Sequence, residues 1–308
     1  MAHVTRYRSL TLVLCTTLTG IFASGASAQE INVGYENKPF DSPEGWAMAH
    51  TLASAINLGT APAEDLGLWK WRLEGEVASI PHLSEAQQRV GFGGFKQEDL
   101  NKSPVFGRAK LNVGLPGAFT AQLSWSPSIK IGGAKPSGLF GVAIERELFT
   151  SGHWQLGGRL YAVRGSAIAD VTCSKRIVSF SPGSSENPFS CAAPSKDRIR
   201  MNQQGVEIML SRSIADDRWQ PFVALAHTRF NPFIGVEAPL FDIIHEWELE
   251  SSGSVSTYSV GASFAATPKW RASTAFSYTP LRVRRPPLSL TESDDFWTLR
   301  LSLSYRGG

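Results

Sequence analysis

Cysteine is scarce in this 308-residue chain, which has three in all, together with four methionines and six histidines. No Cys-x-x-Cys pair occurs and no histidine lies near Cys173 or Cys191, which argues against a thiolate metal site or a dithiol redox centre. Long apolar runs are missing as well. Nothing approaches the roughly 18 consecutive apolar residues of a spanning helix, and the mean hydropathy of -0.11 is close to neutral, so a helical membrane protein is excluded. A membrane strand escapes that exclusion, because it shows lipid only at every second residue and keeps a near-neutral average. Charge of one sign is also lacking: 30 Lys and Arg stand against 27 Asp and Glu, a net of +3. Bulk electrostatics therefore gives no sign of a nucleic acid or other polyanionic partner.

What is present begins with a three-part leader. Arg6 and Arg8 precede an apolar stretch from Leu10 to Phe22, and Ala26-Ser27-Ala28 offers a small-residue cleavage site. Residues 1–28 are expected to be a signal peptide removed before Gln29, taking Cys15 with it and lowering the net charge from +3 to +1 through the loss of Arg6 and Arg8. Cys173 and Cys191 then remain in one Gly/Ser/Pro-rich connection. In an exported protein such a pair reads as a disulfide, worth roughly 3 kcal/mol in the chain-entropy account.

Residues 29–67 do not look like barrel wall. Ser42-Pro43 opens an Ala-rich run from Trp46 to Ile56 that Asn57 and Gly59 close, which predicts a helix over 43–57 with Trp46, Ala49, Ala53 and Ile56 on one packed face. Such a helix fits either a plug or a periplasmic element. From residue 68 to 308 the pattern has period two. Segments starting at Trp69, Val105, Phe119, Phe140, Trp154, Val206, Trp219, Tyr258, Trp270 and Trp297 alternate apolar with polar residues, and four of them open with Phe119, Trp154, Trp219 and Trp270 just after a tight polar turn.

Short turns at 116–118, 150–153, 215–218 and 266–269 alternate with longer connections at 81–104, 132–138, 166–200, 231–254 and 281–295. That asymmetry fits an antiparallel up-and-down transmembrane β-barrel of about ten strands, or twelve if Ile31–Tyr35 and Val90–Phe95 also pair. Phe119, Trp154, Trp219, Trp270, Trp69 and Tyr305 fall at the periplasmic rim, and Trp125, Tyr258, Tyr278 and Trp297 at the outer rim, as interfacial aromatic girdles require. A soluble lipocalin-like or sandwich protein is the alternative, with those aromatics forming its core.

The last strand, with Leu301, Leu303 and Tyr305 at alternate positions, resembles the C-terminal assembly signal of Gram-negative outer-membrane proteins. It departs from that pattern at Arg300, where glycine is usual, and in the extension Arg306-Gly307-Gly308. Gly45-Trp46, Ile80-Pro81 and Val113-Gly114-Leu115-Pro116-Gly117 resemble a group of uncharacterised outer-membrane barrels with a Gly-Trp helix ahead of the first strand. These resemblances imply a place in the outer membrane, with lipid, lipopolysaccharide and the barrel assembly machinery as partners.

Inward positions carry Arg72, Glu74, Arg108, Lys110, Glu145, Arg159 and Glu207, joined by Lys70, Glu76, Glu147, Arg271 and Arg300. Mixed signs predict internal ion pairing, which either fills the lumen or leaves a narrow polar path. Arg282, Arg284 and Arg285 form a basic cluster in the last long connection, a candidate contact for lipopolysaccharide phosphate. No catalytic signature stands out: His153 and His227 lack the His-x-Ser of outer-membrane phospholipases, and only Asp242, His245, Asp294 and Asp295 could supply an omptin-like site. The expected role is a narrow channel or transporter for small solutes, with a closed loop-presenting barrel as the alternative. No cofactor or metal site is expected.

Overall fold

The computed structural model describes residues 31–215, 218–287 and 290–307. The expected signal peptide lies outside the described residues. Ten strands make one closed wall: β2 (Trp71–Ser79), β5 (Val105–Leu115), β6 (Phe119–Ser126), β7 (Lys135–Ser151), β8 (Trp154–Ala169), β9 (Asp197–Arg212), β10 (Trp219–Leu240), β12 (Gly253–Ala265), β13 (Trp270–Thr279) and β16 (Phe296–Gly307). Each neighbouring pair is antiparallel, and the ring closes where β16 meets β2, with Arg300 opposite Ala78 and Gly307 opposite Trp71. Two small ladders, β3 (Arg89–Gly91) with β4 (Lys96–Gln97) and β14 (Arg282–Val283) with β15 (Glu292–Ser293), sit in the long connections.

Alternation decides which face each side chain takes. Leu73, Val77, Leu111, Leu123, Val142, Leu160, Val206, Val223, Val260, Leu299, Leu301 and Leu303 all point outward and are exposed. A water-soluble monomer rarely exposes apolar surface on this scale, whereas hydrocarbon accepts it at no cost, so the wall is a membrane-spanning barrel and not a soluble sandwich. The register also places the two girdles. Trp270 pairs with Tyr305 at the short-turn end, while Tyr278 pairs with Trp297 and with Tyr258 at the long-loop end.

The wall has ten strands rather than twelve. Val90 enters only the small β3 ladder, and β1 (Ile31–Asn37) joins an arm above the barrel. That arm arises because β10 continues past the end of β12. Beyond Phe230, its partner on that side becomes β11 (Ile243–Glu250), and β1 adds to β11 in parallel. Much of the 231–254 segment expected as loop is therefore sheet. Lys70 and Trp69 differ from expectation too: both sit exposed in the turn before β2, with Trp69 at φ 61, so neither belongs to a strand.

The chain enters the barrel from the arm. Ser42 caps α1 (Pro43–Ser54), its hydroxyl accepting from the Gly45 N–H at 3.1 Å. Every α1 residue except Thr51 is buried, so the helix packs on all sides and not along one stripe. Trp46 is fully buried; its indole N–H donates to the Asp294 carbonyl at 2.8 Å, and the Arg285 guanidinium lies over its ring. Residues 55–67 continue down the lumen and leave it at the short-turn end, where Trp69 N–H donates to the Gly114 carbonyl at 2.9 Å. Gly114 is needed there, because a Cβ would stand 2.0 Å from the Gly67 carbonyl oxygen.

Candidate functional site

The lumen has two parts of opposite character. In the half towards the short turns, inward charges from the wall clamp the descending N-terminal segment. Glu76, buried completely, meets Arg300 at 2.9 Å, Arg108 at 3.5 Å and Lys110. Glu74 takes Lys110 at 3.0 Å and the Thr60 hydroxyl at 2.7 Å, while Glu145 pairs with Arg159 at 2.8 Å and with Arg72 at 3.7 Å. Glu207 accepts from the Gly59 N–H at 2.9 Å and faces Arg159 at 3.7 Å. Of the twelve residues expected to face inward, Arg72, Glu74, Arg108, Lys110, Glu145, Arg159 and Glu207 are buried there, and each takes part in an ion pair.

The segment itself supplies what the wall lacks. The Ile56 carbonyl accepts from Arg108 at 3.1 Å and Arg300 at 2.9 Å, and Asn57 accepts from Arg108 at 3.1 Å. Glu64 receives Arg72 at 3.0 Å, Arg271 at 3.6 Å and Arg306, whose second nitrogen reaches the Leu66 carbonyl at 3.0 Å. Buried guanidinium groups are tolerable only when paired and hydrogen-bonded, so this segment is part of the barrel's electrostatic balance and not a loose insert. A void beside Gly59 and Glu207 measures about 10 Å³, close to the space of one water. The two departures from the C-terminal pattern, Arg300 and Arg306, are thus residues that bind the N-terminal segment.

Towards the long loops the lumen opens into a cavity of about 400 Å³ between α1, β5, β7 to β9 and the arm. Its lining is mostly apolar, with Met48 from α1, Leu139 and Met201 from the wall, and Trp247 and Leu249 from β11. The volume lies within the usual range of small-molecule sites, about 300–1,000 Å³. Gly34 makes room for Trp247, since a Cβ there would stand 2.7 Å from the indole ring.

A few charged groups rim this cavity. Asp197 is 2% exposed, and its Oδ2 accepts from the Val171 N–H at 2.7 Å, the Thr172 N–H at 2.6 Å and the Ser195 hydroxyl at 2.8 Å. Its Oδ1 has no partner. Burial pushes the Glu98 carboxyl up to about 8, against the pull of Lys96 at 2.7 Å, with the Asp197 and Glu44 charges adding to the rise.

The remaining expected residues are dispersed. Cys173 and Cys191 form the disulfide, which packs against Ala238 and Leu240 of the arm. Arg284 pairs with Asp41 at 2.8 Å, and Arg285 pairs with Asp294 at 2.6 Å while covering Trp46, so two of the three loop arginines are engaged in holding α1. Arg282, in β14, is exposed. His245 lines the cavity with Nδ1 3.4 Å from the Asn32 amide, Asp294 binds Gln87 and Arg285, and Asp295 accepts from Tyr278 at 2.6 Å. Each of these has a separate partner; no ion pair joins His245 to a carboxylate among the described residues. Asp242 lies in the tight turn between β10 and β11.

Glu64 and Asp197 were not anticipated. For Glu64 a signal existed: seven inward cations stood against five inward carboxylates, Glu74, Glu76, Glu145, Glu147 and Glu207, so acceptors had to come from outside the wall. Asp197 carried no such signal, because it sits in a stretch that alternates weakly.

No family model and no curated protein matches the chain. Among solved structures it is similar to the attachment invasion locus protein Ail of Yersinia pestis, at 12% identity over 78% of this chain and 100% of that one, with a TM-score of 0.31. It is similar also to the outer membrane protease OmpT from Escherichia coli (10% identity, 78% of this chain and 94% of that one, TM-score 0.37). A third is the N-terminal β-barrel domain of Pseudomonas aeruginosa OprF (8% identity, 77% of this chain and 97% of that one, TM-score 0.29).

Proposed function

We propose that this chain is an outer-membrane protein that captures a small, largely apolar solute at the long-loop end and admits it past a lumenal plug. The observation that carries this is the pairing of an apolar cavity of about 400 Å³ with a lumen sealed beneath it. A permanently open aqueous pore has no use for an apolar chamber above a lumen filled by ion pairs. The apolar belt and the leader expected over residues 1–28 support the outer membrane as the location, with the long loops outside and lipid and lipopolysaccharide around the wall. Folding by the barrel assembly machinery follows from that location.

The test uses full-length protein in nanodiscs, titrated with butylbenzene and read by intrinsic tryptophan fluorescence. Saturable binding is expected, with loss in Ala47→Phe, which places a ring in the cavity from α1. In planar bilayers the intact protein is expected to be silent and a form lacking residues 43–59 to conduct. Absence of binding together with absence of current in both forms would leave the second reading, a closed barrel that presents its outer loops, which the density of bonds on residues 55–67 favours.

A further inference from the structure

The charge around the upper cavity is unbalanced. Glu36, Glu44, Glu98, Asp99, Asp170 and Asp197 line it or pair with residues that do, and only three lysines answer them. Each lysine is already committed: Lys38 is shared by Glu36 and Glu44, Lys96 is on Glu98, and Lys102 is shared by Asp99 and Asp170. Asp197 has no cation in any ion pair among the described residues, although it is nearly fully buried and one of its oxygens lacks a hydrogen bond.

A buried carboxylate with backbone donors on one oxygen and nothing on the other is half of a charge-assisted pair. The other wall of the same chamber is apolar, and the Trp247 ring forms part of it. We propose that the upper cavity takes a lipophilic organic cation, a hydrocarbon body ending in an ammonium group, with Asp197 as its counter-ion. This rests on the reading of the cavity as a solute site and adds the charge of the solute. An anionic amphiphile would meet the carboxylates of the rim and is disfavoured. A neutral one would gain only the apolar contact.

The experiment compares 4-phenylbutylammonium, 4-phenylbutan-1-ol and 4-phenylbutyrate on full-length protein in nanodiscs of zwitterionic lipid, by calorimetry with empty nanodiscs subtracted. The cation is expected to bind at least tenfold more tightly than the alcohol, and the carboxylate more weakly than either. Asp197→Asn keeps an acceptor for the Val171 and Thr172 N–H groups; it is expected to bring the cation to the affinity of the alcohol and leave the alcohol unchanged. Equal affinities of cation and alcohol in the unaltered protein would overturn the proposal while leaving the cavity a solute site, and this comparison needs no variant to fold. A cation preference untouched by Asp197→Asn would overturn the role of Asp197. Binding of none of the three probes would overturn the solute site itself.

Discussion

Replacing Glu64 with alanine removes the one carboxylate that holds the lower end of the N-terminal segment to the wall. Arg72 at 3.0 Å and Arg306 donate to it, and Arg271 lies at 3.6 Å. Hydrogen bonds to charged groups contribute about 1.5–3 kcal/mol each, and stripping one partner from a buried pair costs about 3–5 kcal/mol. The Glu64 side chain is 25% exposed, and Arg72 keeps Glu145 at 3.7 Å, so the lower figure of about 3 kcal/mol applies. That moves the balance between docked and released segment by roughly a hundredfold. Three guanidinium groups left without this acceptor would also favour anions in any path that opens. The assay is single-channel recording under a potassium chloride gradient, with urea unfolding in parallel. Glu64→Ala is expected to show brief anion-selective openings and a lower urea midpoint, while the unaltered protein stays silent. Silence and an unchanged midpoint in Glu64→Ala would refute the view that the lumenal charges hold the segment in place.

Threading of the lumen puts β1 at the long-loop end, so Val33→Cys, at a position 72% exposed, is expected to react with a membrane-impermeant maleimide on intact cells; protection in cells with labelling after lysis would reverse the orientation. The Cys173–Cys191 bridge spans 18 residues and ties its loop to the arm, so Cys173→Ser with Cys191→Ser should lower stability by about 3 kcal/mol in the chain-entropy account, read as a drop in melting temperature. Glu98 is raised from 4.5 to about 8 by burial, so its contribution to stability is fully present below pH 4.5 and is lost as the pH rises through 8. Melting temperatures from pH 6 to pH 9 should therefore fall more in the unaltered protein than in Glu98→Gln, whose side chain carries no proton to lose; parallel slopes would contradict this.

The wall was legible because a lipid-facing strand has to alternate, and Arg72, Glu74, Arg108 and Lys110 could be placed inward from their parity alone. The girdles were legible for the same reason, since rim aromatics mark where each alternating run begins or ends. The arm was not. Pro232, Gly235 and Pro239 break the alternation in the upper part of β10, and β1, which adds to β11, lies some two hundred residues from it in sequence, a pairing no local pattern announces. Within β11 the alternation of His245, Trp247 and Leu249 with Glu246, Glu248 and Glu250 is clear once the segment is known to be strand. The cavity could not be read at all, because an empty volume depends on how α1, the arm and the wall fail to meet, and no single residue encodes that.

The claim beneath all of this is that the apolar stripe of each wall strand touches hydrocarbon while the polar stripe faces the plugged lumen. Spin labels placed singly from Trp297 to Tyr305 in bilayers, with accessibility to oxygen and to a water-soluble nickel chelate measured at each, test it directly along β16. High oxygen accessibility at Leu299, Leu301 and Leu303, alternating with low values at Arg300, Ser302 and Ser304, is the predicted result; uniform accessibility, or water exposure at the leucines, would contradict it.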